Sequence, residues 1–122
     1  MESLVATVER VERVLRGHRF RFADERELQA GIDQVLRGAG LEVTREASLG
    51  ETGTIDFFVA GLGIEVKTRG SRADLARQVH RYLQHDSLQA LMVVTTRAAL
   101  GQLPKVIANK LVYVHHLVTG AF

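Results

Sequence analysis

The sequence predicts a mixed α/β fold, a central sheet flanked by helices in the order helix, helix, three strands, helix, strand, helical piece, strand. Three observations carry this expectation. Apolar residues recur at helical spacing in two stretches before residue 40. Residues 55–69, IDFFVAGLGIEVKTR, place apolar runs on both sides of Ala60-Gly61-Leu62-Gly63, where two glycines permit a tight reversal. Residues 90–96 form a short β-branched apolar run of the kind that fills a buried strand.

The elements follow in order. Residues 2–16 carry Leu4, Val8, Val11 and Leu15 at spacings of four, three and four, with the charges elsewhere, so a helix is predicted. Arg19-Phe20-Arg21-Phe22 leads to a second helix that starts near Asp24. That helix turns Leu28, Ile32, Val35 and Leu36 inward and ends at Gly38 or Gly40. The basic and aromatic residues of the connection alternate as in single-strand binders, and they equally suit a hydrophobic staple at the helix start. Residues 41–45 read as a strand and 48–53 as a loop. Ser71, with Asp74 three residues on, opens a helix that buries Leu75, Val79, Tyr82 and Leu83. Residues 97–110 read as a helical segment broken at Pro104, and 111–115 as a last strand. His115 and His116, adjacent on that strand, point to opposite faces and do not share an ion.

At 122 residues the chain fits one domain, 1–122, with a core at about 23–96, an N-terminal helical extension over 1–22 and a C-terminal piece over 97–122. A hydrophobic fraction of 46% with 25% charged residues matches a globular protein in water. No apolar run is long enough to cross a bilayer and no signal-peptide pattern opens the chain, so a cytoplasmic protein without a membrane partner is expected. The absence of cysteine excludes disulfides, thiolate metal sites and cysteine nucleophiles. A net charge of +2 is mild, although arginine supplies most of the positive charge.

The hairpin carries the chemistry. With Gly61 and Leu62 as a two-residue loop, Asp56 lies opposite Lys67 and Phe58 opposite Glu65. Alternation then puts Asp56, Glu65 and Lys67 on one face and Ile55, Phe57, Val59, Ile64, Val66 and Thr68 on the other. Two carboxylates on adjacent strands suit Mg²⁺ or Mn²⁺, hard cations that keep waters and share phosphate oxygens. Asp56 and Glu65 are the expected ligands, with the Val66 carbonyl a third, and Lys67 is placed to hold an attacking water. Glu25 lies on the inward stripe of the second helix and offers a third acid, while first-turn acids also simply favour the helix dipole. Gln78 and Tyr82, four apart, share one helical face. Gln78 can donate to a bound water or phosphate with Tyr82 in support, or Tyr82 is core with Gln78 at its rim.

Glu25, Asp56, Glu65-Val66-Lys67 and Gln78-x-x-x-Tyr82, in this order, resemble the PD-(D/E)xK nuclease superfamily over about residues 25–96. Glu25-Arg26-Glu27-Leu28-Gln29 is similar to the opening helix of archaeal Holliday-junction resolvases and VRR-type nucleases, and Gln78 with Tyr82 to the RecB-like branch. The resemblance implies a restriction-endonuclease-like αβββαβ core and Mg²⁺-dependent hydrolysis of phosphodiester bonds. It implies Asp56 and Glu65 as ligands, Lys67 beside the water, and Glu25 rather than Glu27 as the first acid, reaching the metal directly or through water. Ile55, not proline, precedes Asp56.

Arg69, Arg72, Arg77 and Arg81, with His80, surround the expected site and suit a phosphate backbone. The expected function is a metal-dependent deoxyribonuclease in repair, recombination, restriction or phage DNA processing. The alternative is a DNA-binding or assembly module of the same fold that does not cut. The helix at 2–16 can serve a homodimer or pack on its own sheet.

Overall fold

A computed structural model describes residues 2–118. α1 (Leu4–Arg16) and α2 (Glu25–Gly38) form where the apolar spacing places them. Each begins at a capping side chain: Ser3 Oγ accepts the Ala6 N–H at 3.1 Å, and Asp24 Oδ1 accepts the Glu27 N–H at 2.9 Å. Phe20, in the connection, is buried against Gly31 of α2, so its ring packs in the core.

The strands are β1 (Thr44–Ser48), β2 (Thr54–Val59), β3 (Leu62–Lys67), β4 (Ala90–Thr95), β5 (Val106–Ile107) and β6 (Lys110–His116), in the sheet order β1-β2-β3-β4-β6-β5. β1, β2 and β3 run antiparallel in turn, while β3, β4 and β6 are parallel. α3 (Arg72–Leu83), capped by Ser71, is the crossover between β3 and β4 that a parallel pair requires. The fold is thus α/β, with a mixed six-stranded sheet between two helical layers. α1 and α2 cover one face with Val8, Val11, Leu15, Leu28, Ile32 and Leu36. α3 covers the other with Leu75, Val79, Tyr82 and Leu83. Among the described residues, no helix is long and apolar enough to cross a membrane.

Four expectations need correction. The first strand starts at Thr44 rather than residue 41, because Leu41 and Val43 enter the core ahead of the ladder. The 97–110 segment is a single 3-10 turn (Ala98–Gly101) followed by β5; Ala108 and Asn109 adopt positive φ (53° and 62°) and reverse the chain into β6. The β2–β3 loop is Ala60-Gly61, both with positive φ (47° and 89°), the backbone a tight hairpin of this twist demands. The register is therefore Phe57↔Ile64 and Phe58↔Gly63, so Phe58 does not face Glu65 and Asp56 does not face Lys67. This slip of two residues preserves which side each residue takes.

The fourth correction is Ile55. It is fully buried, but in the cluster built on α3 rather than with Phe57 and Val59. Regular pairing lapses around Asp56: the β2–β3 register stops at Phe57, and Glu46, which would face Asp56 across β1, has a positive φ of 48°. The strand rotates there, and Ile55 changes layer.

Candidate active site

Where that ladder stops, side chains replace backbone partners. The Val66 N–H donates to Asp56 Oδ2 at 2.8 Å, and the Asp56 N–H donates to Glu65 Oε1 at 3.3 Å. Lys67 Nζ stands 3.7 Å from Glu65 Oε2. Asp56, Glu65 and Lys67 are thus brought together on adjacent strands at the open end of the hairpin. Glu65 is only 4% exposed, between Ile64 and Val66 that face the opposite layer.

Burial sets the electrostatics. It is the largest influence on Glu65, followed by the Asp56 charge, and together they push the Glu65 carboxyl up to about 8. Asp56 is also raised, again mainly by burial, against the lowering effect of the Val66 N–H; the charge of Glu25 raises it further and Lys67 opposes. The pair of carboxyls therefore favours retaining a shared proton toward neutral pH. Two acids with one lysine make a site short of positive charge.

Glu25 enters from the other layer. In the first turn of α2, its Oε1 accepts both the Thr68 N–H (3.0 Å) and the Thr68 Oγ1–H (3.1 Å) just past the end of β3. Glu27 faces away: its Oε1 accepts the Ala23 N–H at 3.3 Å. Between the two first-turn acids, it is Glu25 that reaches the site.

Gln78 and Tyr82 meet as their spacing predicts. Gln78 Nε2 donates to Tyr82 Oη at 2.9 Å, and the Tyr82 hydroxyl donates to the Thr54 carbonyl at 3.0 Å. Tyr82 is buried, and burial raises its phenol further above neutrality. It ties α3 to the start of β2, with Gln78 between it and solvent.

A cleft of about 380 Å³ runs beside these groups, lined by Lys67, Arg69, Ser71, Arg77, Gln78 and Arg81 among others. Lys67 belongs to both cleft and carboxylate pair. Arg81 Nε donates to the Thr52 carbonyl at 3.2 Å and its guanidinium lies over the Tyr82 ring, while Arg77 pairs with Asp74. Arg69 makes no side-chain contact of this kind among the described residues. Arg72 does not line the cleft; it donates to Gln102 Oε1 at 2.7 Å. His80 also lies outside the lining, beside Gln84.

Two contributors escaped the sequence reading. Thr68 holds Glu25, and Arg97 Nη1 donates to the Gly70 carbonyl at 3.3 Å, bracing the β3–α3 loop. Their partners lie 43 and 27 residues away, and no local spacing signals such contacts. Gly63 is fixed by space: a Cβ there would stand 2.5 Å from Ile55 Cδ1 and 3.0 Å from Leu88 Cδ2.

His115 and His116 separate to opposite faces, His115 beside Glu12 at 3.9 Å and His116 against Gly101. Among the described residues, no group of three or more histidine, aspartate or glutamate side chains is gathered to hold an ion unaided. In comparisons with known proteins, no family model, curated protein or solved structure matches this chain.

Proposed function

We propose that the chain is a Mg²⁺- or Mn²⁺-dependent nuclease that hydrolyses DNA phosphodiester bonds, with a restriction-endonuclease-like core of the PD-(D/E)xK type. One observation carries the reading: buried Glu65 and half-buried Asp56 lie crowded on adjacent strands, with the Lys67 ammonium beside Glu65 and a basic cleft adjoining. A purely structural pair of buried acids is costly to keep. A cation offsets the burial, and after it the neighbouring acid charge, that raise both carboxyls, and the donor set, all oxygen, fits a hard ion.

Asp56 and Glu65 would hold the ion, with the Val66 carbonyl as third ligand and waters filling the remainder; two side chains and several waters is a customary arrangement for Mg²⁺. When bound, the ion neutralises the developing charge on the phosphate and makes water a better nucleophile. Lys67 would orient the attacking water; its oxygen bonds to phosphorus as the bridging P–O bond breaks, its proton passes to solvent, and the leaving oxygen takes a proton from a solvent water. Arg69, Arg77 and Arg81 steer the sugar-phosphate backbone through the cleft, with Gln78 donating to a phosphate oxygen. A cytoplasmic site of action belongs to the same proposal.

The test is incubation of the protein with plasmid, branched and single-stranded DNA, with Mg²⁺, Mn²⁺ or EDTA. Cleavage by wild type that EDTA and Asp56→Ala both abolish is the expected result. Wild type as inert as Asp56→Ala on every substrate and metal overturns the enzyme reading, and binding without cutting would make the chain a DNA-binding module.

A further inference from the structure

We infer that Thr68 is a positioning residue for this site, holding Glu25 across the end of the sheet so that one of its oxygens serves the outer shell of the cation; the inference rests on the nuclease reading above. Glu25 and Thr68 belong to different layers, and among the described residues no other hydrogen bond ties Glu25 to the end of β3. Both Thr68 donors, N–H and Oγ1–H, end on the same oxygen, Oε1. Both Thr68 contacts fall on Oε1, so neither occupies Oε2. The carboxylate is close enough to Asp56 for its charge to raise that acid.

A long glutamate side chain in a first helical turn loses rotamer freedom when it is held at one place. Two donors from one residue supply that restraint. Thr68 also directly follows Lys67, so the same residue fixes the strand end that carries the ammonium group. Bonds that orient a ligand rather than form it are the kind whose loss costs roughly 10- to 100-fold in metal affinity.

The experiment measures Mn²⁺ affinity of the full chain by calorimetry without DNA, with thermal unfolding in EDTA as the check on folding. Thr68→Val keeps the N–H and the β-branch but removes the hydroxyl, and should weaken Mn²⁺ binding roughly tenfold. Thr68→Ser should bind within about twofold of wild type. Glu25→Asp keeps the charge but is one methylene too short to meet Thr68, and should weaken Mn²⁺ as Thr68→Val does. On a Glu25→Gln background, Thr68→Val should add less than about twofold, because it acts through Glu25. In cleavage assays the same variant should raise the half-saturating metal concentration and leave KM for DNA unchanged.

Wild type that binds Mn²⁺ while Thr68→Val and Glu25→Asp bind equally well overturns the inference and leaves the nuclease reading standing. A full loss on the Glu25→Gln background overturns it as well. Wild type without Mn²⁺ affinity or cleavage overturns both, since nothing then needs positioning. If Thr68→Val melts below the assay temperature, Glu25→Asp and Thr68→Ser decide the matter alone.

Discussion

The β2–β3 hairpin has two halves built on different bonds. Near the turn, Phe57, Phe58 and Val59 pair with Ile64, Gly63 and Leu62 in regular register. At the open end, the Asp56 and Val66 N–H groups are met by carboxylate oxygens instead. In the first half the backbone satisfies itself and side chains are free to pack. In the second, the acids take the place of backbone acceptors, and burial makes their charge expensive. One half should respond to lost volume, the other to lost or neutralised charge.

The largest effect tests the packed half. Phe57 is fully buried at the centre of the α1–α2 cluster, so Phe57→Ala should destabilise the chain by roughly 3–5 kcal/mol in urea unfolding. A loss below about 1 kcal/mol would mean that half is not the scaffold described. Next comes the carboxylate half, under the nuclease proposal. Asp56→Asn keeps an acceptor for the Val66 N–H but not the charge, so folding should survive while Mg²⁺-dependent cleavage falls at least about a hundredfold. Unfolding of this variant would erase the contrast.

A third prediction separates the halves by pH. Burial pushes the folded-state Glu65 carboxyl up to about 8, from an ordinary value of 4.5. A raised acid contributes stability that is full below its unfolded pKa and is lost as pH rises through its folded value. In EDTA, unfolding stability should therefore decline between about pH 4.5 and 8, with Asp56 acting in the same direction. Glu65→Gln should flatten that decline and melt a few degrees above wild type at pH 8, by scanning calorimetry. Phe57→Ala should shift the curve down without changing its slope. An unchanged slope in Glu65→Gln would refute the electrostatic account.

The smallest effect concerns the cleft. Arg69→Ala should weaken DNA binding and lower the slope of log affinity against log salt by about one. Arg72→Ala, whose side chain is engaged with Gln102 outside the cleft, should change the slope less. Equal effects would show that the cleft does not define the DNA path.

Sequence periodicity found the helices, the hairpin and β4, because Leu, Ile and Val repeats report directly on a buried face. It also found the right company for Asp56, Glu65 and Lys67 despite a loop placed one residue late. Moving the loop centre by one shifts the pairing by two, and two is the period of a strand. Ile55 escaped because alternation assumes an unbroken ladder, and the break is made by the neighbouring Asp56 side chain. The 97–110 segment misled because Ala98, Ala99 and Leu100 have good helix propensity, while the reversal at Ala108-Asn109 depends on pairing with β6. Arg72 looked like its neighbours on the helix face; only the position of Gln102 removes it. Glu25 lies toward the end of β3 and Glu27 toward Ala23 because of contacts with Thr68 and Ala23 that become visible once the layers are assembled.

The displaced Ile55 reaches further than its own position. Its methyl group occupies the volume that any side chain at residue 63 would need, with Leu88 closing the gap behind. Gly63→Ala is therefore expected to force Ile55 back toward its regular side, taking the adjoining carboxylate out of line. If the proposed nuclease activity holds, a library selected for cutting alone would enrich glycine at a place that offers a nucleic acid nothing, recording catalysis in an atom that is missing.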